Sequence, residues 1–114
     1  MITRKHENNL MSQVIRFGSF IETAGQVTDD LSLDIQEQTK NILENIESLL
    51  NEVGANKNNL TRIQIWMSDI SQFDAMNAVY EMWLENSSKP VRACVESKLV
   101  STYLIEIQAF AYIE

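Results

Sequence analysis

The chain has 114 residues, 45% hydrophobic and 22% charged, which is the mix of a folded globular protein and not of a disordered one. Nine Lys and Arg stand against sixteen Asp and Glu, a net charge of −7 that speaks against a nucleic-acid binder or a binder of anionic membranes, since both need a basic face. One cysteine, Cys94, excludes an intramolecular disulfide, and one histidine, His6, joined to one cysteine cannot build a zinc site from His and Cys ligands, so no metal is expected.

His6 lies in a polar N-terminal stretch, a poor setting for a nucleophile–histidine engine. Met1–Glu7 carries charge with no apolar run behind it, so a secretory leader is not expected. The longest unbroken apolar run, 109–113, is far too short to cross a membrane. A single domain over 1–114 in the cytoplasm is the expectation.

Residues 11–17 and 20–24 read as two short strands around Gly18-Ser19. Ile35, Ile42, Ile46, Leu49 and Val53 recur at helical spacing and predict a helix over 34–53, with Asp34 and Glu37 at capping-box spacing and Gly54 as its stop. Thr61 to Met67 alternates, with Ile63, Ile65 and Met67 on one side and Arg62, Gln64 and Trp66 on the other. A second helix is predicted over 72–84, with Ser71 and Asp74 as its cap and a stripe of Phe73, Met76, Tyr80, Trp83 and Leu84 that reads as core. Asn77 stands beside that stripe, and its amide needs a partner. After Pro90, 91–95 and 104–113 alternate as two more strands. The order strand-strand-helix-strand-helix-strand-strand is that of an α+β two-layer sandwich with both helices on one face of a sheet.

The alternation assigns Arg62, Gln64, Trp66, Arg92, Cys94, Glu106, Gln108, Phe110 and Tyr112 to the face away from the helices. So many large aromatics do not suit a solvated face, and burial against another subunit explains them better. Within this set Arg92 can grip a planar carboxylate with two parallel hydrogen bonds, and Glu106 is costly if buried alone. From alternation alone, the two either pair with each other or carry chemistry. Cys94 reads more readily as a small buried residue than as a reactive thiol.

Pro90-Val91-Arg92-Ala93-Cys94-Val95, followed by Ile105-Glu106-Ile107, resembles the signature of the RidA/YjgF family of reactive-intermediate deaminases. Thr23-Ala24-Gly25-Gln26 resembles the family's Thr-Ser/Ala-Gly-Gln turn, and 69–77 its Asp-x-x-x-Phe-x-x-x-Asn approach to a helix. The likeness runs from about Met11 to Tyr112. It implies a chorismate-mutase-like fold with a mixed sheet, a homotrimer with a central barrel, and active sites between subunits. It also implies hydrolysis of 2-imino and 2-enamino acids to 2-oxo acids and ammonia, with no cofactor.

Carried over by position, Arg92 holds the substrate carboxylate and Glu106 orients the water. Main-chain groups at Ala24, Gly25, Ala93 and Cys94 bind substrate, and Asn77 lies at the cleft edge. Archetypal members have tyrosine where this chain has Met11 and often serine where it has Ala24, which suggests a side branch. The segment from Arg92 to Glu106 is also about one residue shorter than is common in the family. The alternative from another class is a protein that binds 2-oxo acids on the same trimer without turnover. A nuclease or translation-inhibitor activity, known for some members, fits worst with the −7 charge.

Overall fold

The computed structural model describes residues 1–114. Its elements are β1 (Ile2–Lys5), β2 (Val14–Phe17), β3 (Phe20–Thr23), α1 (Ile35–Glu52), β4 (Leu60–Met67), α2 (Phe73–Trp83), β5 (Val91–Glu96) and β6 (Ile105–Tyr112). The strands form one sheet in the order β1-β2-β3-β6-β4-β5. Every neighbour is antiparallel except β4 and β5, which run parallel because α2 carries the chain back between them. The expected mixed α+β sandwich is therefore present. The sequence reading lacked β1, whose Ile-Thr-Arg-Lys is exposed throughout and offers no apolar alternation to detect.

The core lies between the sheet and the two helices. Ile63, Ile65, Met67, Ile105, Ile107 and Ala109 are fully buried and meet Ile42, Leu43, Ile46 and Leu50 of α1 and Met76 of α2. Each such aliphatic side chain contributes about 1.5–3 kcal/mol by leaving water. At the start of α1, Asp34 accepts a hydrogen bond from the Glu37 amide at 2.9 Å. At its end Gly54, at φ 89°, bends the chain so that its own amide reaches Asn51 O at 3.2 Å and the Ala55 amide reaches Leu50 O at 2.9 Å. The start of α2 departs from expectation. Ser71 does not cap it; instead Asp69 accepts from the Ser71 amide and hydroxyl at 2.9 and 2.6 Å, closing a 3₁₀ turn over 70–72 that runs into the helix.

One assignment made from alternation is corrected by the register. In the parallel β4–β5 pair, Arg62 stands beside Val91 and Ile63 beside Arg92. Val91, Ala93 and Val95 therefore share the free face with Arg62, Gln64 and Trp66, while Arg92 and Cys94 point to the helix side. Hydropathy inverted the phase of β5 because this edge strand reaches the rim of the helix layer. There the inward positions meet α2's flank instead of deep core, and the free face is itself apolar. For the core, Ile107→Ala is expected to lower stability by about 2–5 kcal/mol in urea unfolding, because its site cannot fully collapse.

Candidate active site

The Thr23–Gln26 turn is pinned to β6 at both ends. Thr23 Oγ1 accepts the Ala109 amide at 3.0 Å, and Gln26 exchanges two backbone hydrogen bonds with Ile107 at 2.7 and 3.0 Å. The buried Gln26 side chain ties the turn further, donating to Gln13 Oε1 and Ala24 O at 2.9 and 3.2 Å. This clamp lays Gly25 directly on the Glu106 side chain, where a Cβ would overlap Glu106 Oε2. Glycine is required here for close approach, since its φ is not in the left-handed region.

Glu106 forms no ion pair within the chain, and burial pushes its carboxyl above the ordinary carboxylate value. Met11, Ile15, Thr23, Ala24 and Gln108 line a groove of about 430 Å³ on the same side of the sheet. Met11, expected within a strand, lies just before β2 in a turn whose amides are held by Asn8 Oδ1, at 2.7 Å from Leu10 and 3.0 Å from Met11 itself.

Arg92 belongs to a second constellation. Its Nη1 donates to Asn77 Oδ1 at 2.6 Å, which supplies the partner that the Asn77 amide oxygen needs. The guanidinium carbon lies 4.7 Å from the centre of the Tyr80 ring and 5.6 Å from that of Phe73. Asn77, Tyr80 and Arg92, with Glu81, Leu84 and Lys89, border a cleft of about 300 Å³. Lys89 Nζ is occupied by the Leu84 and Ser87 carbonyls at 2.5 and 2.6 Å. Cys94, two residues along, packs against the core, and burial pushes its thiol up, so it stays protonated at neutral pH. Ala93 is exposed on the free face.

The expected site residues thus form two groups. Met11, Ala24, Gly25 and Glu106 gather on the free face, and Asn77, Arg92 and Cys94 on the helix side of the sheet edge. Arg92 and Glu106 do not pair; β4 separates their strands and they project to opposite faces. Phe73 and Tyr80, expected as core, do pack half-buried against it, and they also turn toward Arg92. Their spacing with Asn77 at i, i+4 and i+7 was the available signal that one face of α2 forms a bed for Arg92.

A family model described as Endoribonuclease L-PSP matches residues 3–113. A RutC family protein of Pyrococcus abyssi is 41% identical over 110 residues, spanning 90% of this chain and 86% of that protein. An uncharacterized protein from Pseudomonas aeruginosa of known crystal structure superposes with a TM-score of 0.96 at 30% identity, each chain covered in full (100%). A member of the YjgF protein family from Neisseria meningitidis does so with 0.95 at 26% identity, covering 100% of this chain and 96% of that one. The chain belongs to the RidA/YjgF family, and its fold is the fold of that family. No helix is long and apolar enough to cross a membrane.

The contact between Gly25 and Glu106 is open to test. Gly25→Ala is expected to drive the carboxylate out of its seat and into water. Carbon-13 carboxyl titration should then show the Glu106 pKa falling back toward its ordinary value, with the fold retained.

Proposed function

We propose that this chain is a deaminase that hydrolyses 2-imino and 2-enamino acids to 2-oxo acids and ammonia, acting as a homotrimer with its sites between protomers. The observation that carries the reading is the division just described. One chain presents an arginine without an acidic partner on one face of the sheet and a partly buried, unpaired carboxylate on the other. Symmetric association joins such halves when one protomer's patch meets the other patch of its neighbour, and a closed ring of three satisfies all six. The free face supports this arrangement, since Phe20 is 54% exposed, Val91 70% and Tyr112 41%, more apolar surface than a solvated sheet carries. Family membership supports it too, and a cytoplasmic setting, where imines are released by amino-acid metabolism, follows from the same reading.

The chemistry asks little of the protein. An iminium carbon is already electrophilic, so a held substrate and a positioned water suffice. Arg92 of one protomer binds the substrate carboxylate through two parallel hydrogen bonds. Glu106 of the neighbour takes a proton from water as the water oxygen bonds to C2 and the C=N electron pair moves to nitrogen. Glu106 then returns that proton to the amine. The C2–N bond breaks, and the C2 hydroxyl passes its proton to the departing ammonia, which leaves as ammonium while the carbonyl of the 2-oxo acid forms. The Gly25 amide, which has no hydrogen-bond acceptor within the chain, lies beside Glu106 and is placed to donate to substrate or water. Ribonuclease chemistry, which the family description names, suits this chain poorly: at −7 it lacks the basic stripe that a phosphate backbone requires.

Iminopropionate generated by an amino-acid oxidase and trapped with semicarbazide provides the assay. The protein is expected to divert imine from semicarbazide into pyruvate. Arg92→Ala should raise KM about 10–100-fold, the worth of a charge-assisted hydrogen-bond pair. Glu106→Gln should lower kcat about 10²–10⁴-fold while sparing affinity for 2-oxo acids in calorimetry. No acceleration by the native protein, with binding retained, would leave a binding protein instead.

The pH profile follows from the burial of Glu106. As a base it works only when ionised, and its pKa is raised. Activity should therefore fall as pH drops through a midpoint above the ordinary carboxylate value, and Glu106→Gln should abolish that acid limb.

A further inference from the structure

Arg92 is exposed on an edge strand, where a long side chain ordinarily samples many rotamers. Here three groups of α2 hold it: the Asn77 amide oxygen at 2.6 Å, the Tyr80 ring at 4.7 Å and the Phe73 ring at 5.6 Å. None of them carries charge, and Glu81, the one carboxylate that also lines the cleft, forms no ion pair with Arg92. The close basic–acidic contacts in the chain join His6 to Glu52 and Lys57 to Glu47, and Arg92 enters neither. A carboxylate in place of these neutral groups would orient the guanidinium equally well but would cancel its field toward an incoming anion. Aromatic faces attract the cation through their quadrupoles and leave its net charge intact.

We infer that Tyr80 and Phe73 are positioning residues that hold the Arg92 guanidinium for an anionic substrate without neutralising it, through their ring faces and not through the Tyr80 hydroxyl. The inference rests on the reading of Arg92 as the carboxylate anchor, and it specifies how a chain of charge −7 keeps one cation available to an anion. The faces act on binding of the carboxylate and not on the water-addition step, so their loss appears in KM. Tyr80 lies at the rim of the Arg92 cleft, half-buried, so its ring can be replaced without opening the deep core.

The test compares Tyr80→Phe, Tyr80→Leu and Phe73→Leu with Arg92→Ala in the full-length protein. Steady-state kinetics on iminopropionate is one readout, and nitrogen-15 relaxation of the Arg92 Nε–H group is the other. Tyr80→Phe should match the native protein in both. Tyr80→Leu and Phe73→Leu should each raise KM by several-fold to about tenfold at nearly unchanged kcat, and should mobilise the Arg92 Nε–H. Should a leucine variant fail to fold, Tyr80→Met, similar in volume and lacking a ring, takes its place.

Equal KM and equal Arg92 relaxation in Tyr80→Leu and the native protein would overturn the inference. So would a Tyr80→Phe variant as impaired as Tyr80→Leu, or a loss confined to kcat. Arg92→Ala separates the two levels: if it turns over iminopropionate like the native protein, the anchor reading fails and the inference with it. A normal Tyr80→Leu beside an impaired Arg92→Ala overturns the inference alone.

Discussion

The contact on which the site depends is that of the Glu106 carboxylate with Gly25. A carboxylate leaves water reluctantly, and inside one chain nothing of opposite charge repays Glu106 for doing so. It stays because the Thr23–Gln26 turn is bonded to β6 on both sides and presents a residue with no side chain at that point. The buried Gln26 and Thr23 thus serve the same end as Gly25: a polar group is held in a strained electrostatic position by a rigid backbone. A carboxylate so placed has a pKa moved toward neutrality, the range in which a base both accepts and returns a proton readily.

The second half of the site is built on the opposite logic. Arg92 has no ion pair within the chain, and the residues that orient it are an amide and two aromatic rings. The parallel β4–α2–β5 crossover makes this possible by laying the flank of α2 along the edge strand. Under the proposal that protomers share the site, each half is incomplete alone, and the exposed apolar residues of the free face ask for cover. Under the trimer proposal one association event buries that face and joins an arginine to a carboxylate three times over. The net charge of −7 then describes the outside of the molecule, while Arg92 sets what the cleft accepts.

Most of the fold was legible because α1, β6 and β4 from Arg62 onward follow the periodicities of helix and strand. Their aliphatic stripes, Ile42–Ile46–Leu50 and Ile105–Ile107–Ala109, can only be core. β1 was not legible, since an exposed edge strand of polar residues has no pattern to read. β5 was misread in phase: its outward set, Val91, Ala93 and Val95, is more apolar than its inward set, Arg92 and Cys94, so alternation shows two faces but not which is inward. That error placed Arg92 and Glu106 together, whereas pairing across β4 sets them on opposite sides. The importance of Gly25 was visible only through family resemblance, because no local rule links residue 25 to a side chain 81 positions on. Phe73 and Tyr80 show the converse limit: both pack against the core as expected, but an aromatic stripe at helical spacing looks the same whether or not its flank also meets a guanidinium.

The proposal that two protomers build each site has a direct test in mixing inactive variants. Arg92→Ala retains Glu106 and Glu106→Gln retains Arg92, so each homotrimer lacks every complete site. Co-refolding the two in equal amounts should restore about a quarter of native imine hydrolysis, because three in four random trimers are mixed and each mixed trimer contains one intact junction. Failure of the mixed trimers to regain any activity above the separate variants would contradict a site shared between protomers.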